Sequence, residues 1–140
     1  MAKARIDHIG IAVTDVENSI FFLQEIFGAK LLRKNEVEGE KLISAVLQLG
    51  EINIELMQST EKGSVIDKYI TKKGEGFHHV SIQITNMEQV LDVLNSNNIK
   101  ISKKLTYKGS DIAFINPKNA FGLLIEIIER KQTQGEMIRD

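Results

Sequence analysis

Cysteine is absent from the 140 residues. That rules out disulfides, thiolate metal ligands and a thiol nucleophile, and it fits a cytoplasmic protein. Tryptophan is absent too, and proline occurs once. There is no apolar run long enough for a membrane helix and no N-terminal signal pattern. Neither sign of charge dominates: 18 basic residues meet 19 acidic ones, a formal net charge of -1. Bulk electrostatics therefore favour neither nucleic acid nor an anionic membrane as partner. With sulfur excluded, the metal ligands open to this chain are its carboxylates and three histidines, His8, His78 and His79. The length and the 42% hydrophobic share are enough for a single domain over 1–140 with a sizeable core.

What is present is a repeat. His8 is the second residue of DHIGIAVTDVENS, and 71 residues later His79 opens HVSIQITNMEQV. Each has a His, an apolar alternation, a Thr and an acid three residues on. The offset also links Thr14 with Thr85, Glu17 with Glu88 and Glu55 with Glu126. In the first copy, Ile6 to Val13 alternates as a strand, with His8, Gly10 and Ala12 on one face. Thr14 and Glu17 have capping-box spacing, so a helix should follow and stop at Gly28. Strands are expected over about 29–36, 41–49 and 52–57. A connector of about 59–76 should hold a short helix near Val65 to Thr71. The second copy repeats the plan: a strand His79 to Ile84, a Thr85/Glu88 capping box, a helix to about Asn97, then strands near 99–104, 112–115 and 123–129. A polar tail, 130–140, should be loose.

The expected fold class is therefore α+β. Two βαβββ modules, about 5–58 and 77–129, would be related by a pseudo-twofold axis and form a curved, half-open barrel sheet. Such packing would bring two His and two Glu together. That donor set suits a divalent transition ion with positions left open for water or substrate. A lone strand histidine is more often a surface or hydrogen-bonded group than a ligand. Glu126 resists the bland reading, because it lies inside LLIEII, where an unpaired charge is costly. Glu55, inside INIELM, makes the same case more weakly. His78 faces away from His79 by strand alternation, and its counterpart is Asp7. It reads as a structural or supporting residue.

The stretches DHIGIAVTDVENS, INIELM, KKGEGFHHVSIQI and FINPKNAFGLLIEI resemble the vicinal oxygen chelate (glyoxalase-like) superfamily over about residues 5–129. Within it, GEGFHHVSIQI joined to the NPK-x(4)-GLLIEI ending looks like the methylmalonyl-CoA epimerases. The resemblance implies metal ligands at His8, Glu55, His79 and Glu126. The ion would be divalent cobalt, manganese, nickel or zinc. It also implies an acyl-CoA substrate and a homodimer. The reaction would interconvert the 2R and 2S forms of methylmalonyl-CoA by proton abstraction and return through a metal-stabilised enolate. The family's proposed base lies in an acid-Gln-Gly stretch before the third strand. Here that region reads Glu36-Val37-Glu38-Gly39-Glu40-Lys41. Counting back from Glu55 favours Glu38, with Glu36 and Glu40 close by; at least two of the three read as a solvated hairpin end. Glu126 is the candidate second acid–base group, since a metal-bound carboxylate can detach and carry a proton.

Three other readings share this frame. A glyoxalase I-type lactoylglutathione lyase uses the same metal and base logic. An extradiol dioxygenase uses two His and one carboxylate, and a fourth ligand at Glu55 argues against it. A non-enzymatic binding or resistance protein would have no need of all four ligands.

Overall fold

The computed structural model describes residues 3–131. The chain divides into two compact units. One is His8–His78; the other is His79 onward together with the residues before His8. Strand β1 (Ala4–Ala12) is shared between them.

In the first unit β1 is followed by α1 (Val16–Phe27), β2 (Lys30–Val37), β3 (Leu42–Leu49), β4 (Ile52–Ser59) and α2 (Val65–Lys73). The strands β2, β3 and β4 are antiparallel neighbours, and β4 returns parallel to β1. Alternation decides what each face does. Val13, Ala45, Leu47 and Leu56 turn one way and pack with Val16, Ile20 and Ala29 under α1. Leu47 is fully buried, a burial that stabilises by about 1.5–3 kcal/mol. His8, Gly10 and Ala12 turn the other way, and there α2 closes one end, where Ile66 packs on Ala12, Leu42 and Met57.

The second unit repeats this with β5 (Gly76–Ile84), α3 (Met87–Ser96), β6 (Ile101–Tyr107), β7 (Ser110–Ile115) and β8 (Ile125–Glu129). Here β5 and β8 are parallel, and β6, β7 and β8 are antiparallel neighbours. Ile84, Ala113, Ile115 and Ile127 pack with Met87 under α3. The hydrogen-bonded order is β2-β3-β4-β1-β5-β8-β7-β6, one eight-stranded mixed sheet. Both copies thus have the expected βαβββ plan. No helix among the described residues is long and apolar enough to cross a membrane.

The repeat is visible in local detail. Gln58 Oε1 accepts from Val16 N at 2.7 Å at the start of α1; Glu129 Oε1 accepts from Met87 N at 2.8 Å at the start of α3. Both β2 and β6 carry a register shift, between Leu31 and Arg33 and between Ile101 and Lys103.

Two expectations need correcting. The helix caps are Asp15 and Asn86, whose side chains accept from Asn18 N and Gln89 N, not Thr14 and Thr85. The Thr hydroxyls are used elsewhere: Thr14 donates to Glu75 Oε2 at 3.0 Å, and Thr85 Oγ1 accepts from Lys3 N. The Thr14 amide also donates to Glu75, and these bonds hold that carboxyl below its ordinary range. The second correction is at residue 130, placed in the loose tail. Arg130 donates to both carboxylate oxygens of buried Asp7, at 3.2 and 2.8 Å. The rest of that tail, 132–140, lies outside the described residues.

Candidate metal centre

In the parallel pairing of β1 with β4, His8 stands opposite Asn53 and Gly10 opposite Glu55. His8 and Glu55 are therefore diagonal neighbours on one face, with no side chain at Gly10 between them. His8 Nε2 lies 3.4 Å from Glu55 Oε1. The other oxygen, Oε2, accepts from Ser44 Oγ at 2.7 Å. Ser44 thus fixes the carboxylate and leaves Oε1 turned toward the imidazole. A separation of 3.4 Å is long for N–H···O. It matches two atoms that each lie about 2.1 Å from one shared ion.

His79, on β5, is 6% exposed. One ligand atom each of His8, Glu55 and His79 lies within 4.8 Å of the others. Two imidazoles and a carboxylate fit a divalent transition ion and leave coordination positions for other groups.

The fourth expected ligand, Glu126, is not in that group of three. It is half-buried on β8, with its Cα opposite Ser81 on one side and Phe114 on the other. Of the three acids in the β2–β3 hairpin, Glu36 pairs with Ile43, a residue packed on the core under α1. Its side chain is on the wrong face for the centre. Glu38 and Glu40 begin and end an exposed 3-10 turn. His78 is half-buried and outside the ligand group. It meets Tyr69 of α2 edge-on, with ring centroids 4.8 Å apart. The Tyr69 hydroxyl in turn donates to the Phe77 carbonyl. Burial lowers the His78 pKa, against the opposing pull of the Glu55 charge.

Sequence reasoning passed over Ser44 and Tyr69. Ser44 had a signal: it is the polar residue at an alternating position of the apolar run Leu42–Leu47. Tyr69 had none beyond its place on the apolar face of α2.

The profile of the Glyoxalase/Bleomycin resistance protein/Dioxygenase superfamily matches residues 5–127. Similar proteins include uncharacterized protein YqjC of Bacillus subtilis, 30% identical over 93% of this chain and 95% of its own. The mitochondrial methylmalonyl-CoA epimerase of Homo sapiens is 28% identical over 88% of this chain and 72% of its own. A probable lactoylglutathione lyase of Vibrio cholerae is 31% identical over 96% of this chain and 97% of its own. Among solved structures, methylmalonyl-CoA epimerase from Mycobacterium tuberculosis superposes with a TM-score of 0.81 at 27% identity, over 91% of this chain and 88% of that one.

Proposed function

Because the chain belongs to the Glyoxalase/Bleomycin resistance protein/Dioxygenase superfamily, we propose that it is a metal-dependent epimerase that interconverts the 2R and 2S forms of methylmalonyl-CoA. The observation that carries this reading is the convergence of His8, Glu55 and His79 within 4.8 Å. The likeness to two epimerases supports the choice of reaction. So does the long turn between β7 and β8, with its 3-10 segment Pro117–Asn119.

In this proposal His8, Glu55, His79 and Glu126 hold the ion, and Ser44 orients Glu55. When bound, the divalent ion supplies Lewis-acid stabilisation of the thioester oxygen that gains charge as the α-proton leaves. Glu38 takes that proton on one face and Glu126 returns one on the other. The small side chains of Gly10 and Ser81 leave room beside the histidines, whereas Ala12, on the same face, is packed under α2.

A second reading has its own support in the Vibrio cholerae relative: a lactoylglutathione lyase acting on the glutathione hemithioacetal. One experiment separates them. The protein is incubated with methylmalonyl-CoA in deuterated water, with and without chelator. The epimerase reading expects deuterium at the α-carbon, lost on chelation. No incorporation, with turnover of the hemithioacetal, sinks it in favour of the lyase. A protein that holds no divalent ion and loses nothing to chelator would instead be a small-molecule binding protein of this fold.

A further inference from the structure

The face of β5 that carries His79 continues with Ser81 and Gln83. Ser81 is 0% exposed and Gln83 7%. Neither Ser81 Oγ nor Gln83 Oε1 has a hydrogen-bond partner among the described residues. Buried polar atoms in folded proteins are nearly always partnered, so two in succession on one strand need an explanation. Their settings differ, apolar across the sheet for Gln83 and beside a carboxylate for Ser81. Gln83 stands opposite Ile128, which stands opposite Ile112. Ser81 stands opposite Glu126, next to Phe114. Successive same-face residues are about 6.6 Å apart along a strand, so Ser81 is the nearer and Gln83 the farther step from His79.

The first module has nothing like this. Its matching residues are Gly10 and Ala12, and Ala12 is sealed under α2 with Leu42, Met57 and Ile66. Two buried polar atoms without partners on the strand of a ligand histidine are how a site selects for a polar group, because an apolar group leaves them unpaired.

We infer that Ser81 and Gln83 form a hydrogen-bonding subsite that takes a hydroxyl or N–H donor on the substrate's reacting end. The subsite makes the protein prefer acids whose central carbon bears a hydroxyl over those that bear a methyl in the same place, so that methylmalonyl-CoA is not the best-fitting substrate for the centre and a 2-hydroxy diacid thioester fits it better. This rests on the ion-binding role of His79 but not on the epimerase reaction.

The test compares hydroxymalonate with methylmalonate, which differ by a hydroxyl in place of a methyl, binding to the cobalt(II)-loaded protein by calorimetry. Tighter binding of hydroxymalonate by about tenfold or more is expected, falling to within about threefold in Ser81→Ala and Gln83→Met. Equal binding by the unaltered protein overturns the inference. So does a preference that survives in both variants, since the hydroxyl is then read by the ion alone. A second measurement needs no ion. With Gln83 Oε1 buried and without a partner among the described residues, Gln83→Met should raise the thermal midpoint by about 2 °C or more. A fall of that size means that Gln83 is already satisfied within the fold, or by a resident water only, and overturns the inference. Loss of α-proton exchange with the diacid preference intact would sink the epimerase reading and leave the subsite standing; the reverse result would sink the subsite alone.

Discussion

The two modules start from one plan and diverge on one face. Under the helices they agree closely. Asp15 and Asn86 cap α1 and α3, Gln58 and Glu129 accept from the first helical amides, and the edge strands shift register at matching places. On the histidine face they part. Ser44, which anchors Glu55, has Ile112 at its place in the second module, reckoned from the pairings Val46–Glu55 and Phe114–Glu126. Gly10 and Ala12 become Ser81 and Gln83. The module that anchors its glutamate through β3 keeps its first strand bare; the other puts the polar groups on the first strand. Caps and core are fixed by backbone geometry, which both modules share. The histidine face is free to vary, and that is where the chemistry differs.

The largest expected effect tests whether both modules serve the ion. His8→Ala and His79→Ala should each lower cobalt(II) affinity by more than about 100-fold, beyond what loss of an outer hydrogen-bond partner costs. Metal titration followed by the ligand-field spectrum reads it. Undiminished affinity in one of the two would confine the site to a single module. Ser44→Ala, which removes the anchor found only in the first module, should cost about 10–100-fold in the same titration with little change in fold stability. If its effect instead appears in the unfolding midpoint and not in the titration, Ser44 is structural.

That contrast marks how far sequence reasoning reached. The βαβββ plan, the helix stop at Gly28 and the shared face of His8 and Glu55 follow from period and punctuation, which are local. The offset of 71 slips between the helix end, where Gly28 plus 71 lands on Ile99, past the end of the second helix, and the last strand, where it recovers; the chain shows that slip but not its size along the strands. The offset becomes 70 at the bulges, where Arg33 matches Lys103, and 68 at Val46 and Phe114. The β6–β7 hairpin is two residues shorter than its partner, and the turn before β8 is three residues longer. The extra length in the first module is where the exposed Glu38 and Glu40 sit. The capping boxes misled because Thr14 and Thr85 have the right spacing for a cap, while Asp15 and Asn86 are better acceptors one residue on. The pairing of Ser44 with Glu55, and of Asp7 with Arg130, joins residues whose meeting depends on long-range register. Alternation marks Ser44 as a polar residue in an apolar run but not its partner, and no local pattern marks the Asp7–Arg130 pair.

The Asp7–Arg130 pair also has no counterpart, since the matching positions are His78 and Ser59. The Asp7 side chain is 5% exposed and that of Arg130 31%. Removing one partner of a fully buried pair costs about 3–5 kcal/mol. Partial exposure of Arg130 lowers the expectation for Asp7→Asn to about 2–3 kcal/mol. Urea unfolding should show a lower midpoint at unchanged slope. A loss under about 0.5 kcal/mol would place the pair with ordinary surface ion pairs.

The smallest effect probes the closest match of all. Gln58 and Glu129 make the same bond to the first turn of α1 and α3, at 2.7 and 2.8 Å. One is neutral and the other acidic. A helix N-terminus carries roughly half a positive charge, so the acid should gain about 0.3–1 kcal/mol over the amide. Glu129→Gln should therefore destabilise by about that amount, and Gln58→Glu should stabilise by a similar amount. Both changes should shrink as salt rises from 0.05 to 1 M, since this interaction is screened. Equal and opposite shifts in the urea midpoint would mean that the two helix entries are electrically interchangeable. If Gln58→Glu destabilises instead, the cause lies nearby: Gln58 shares a face with Leu56 and Ile54, and a carboxylate there gives up more hydration than the amide it replaces.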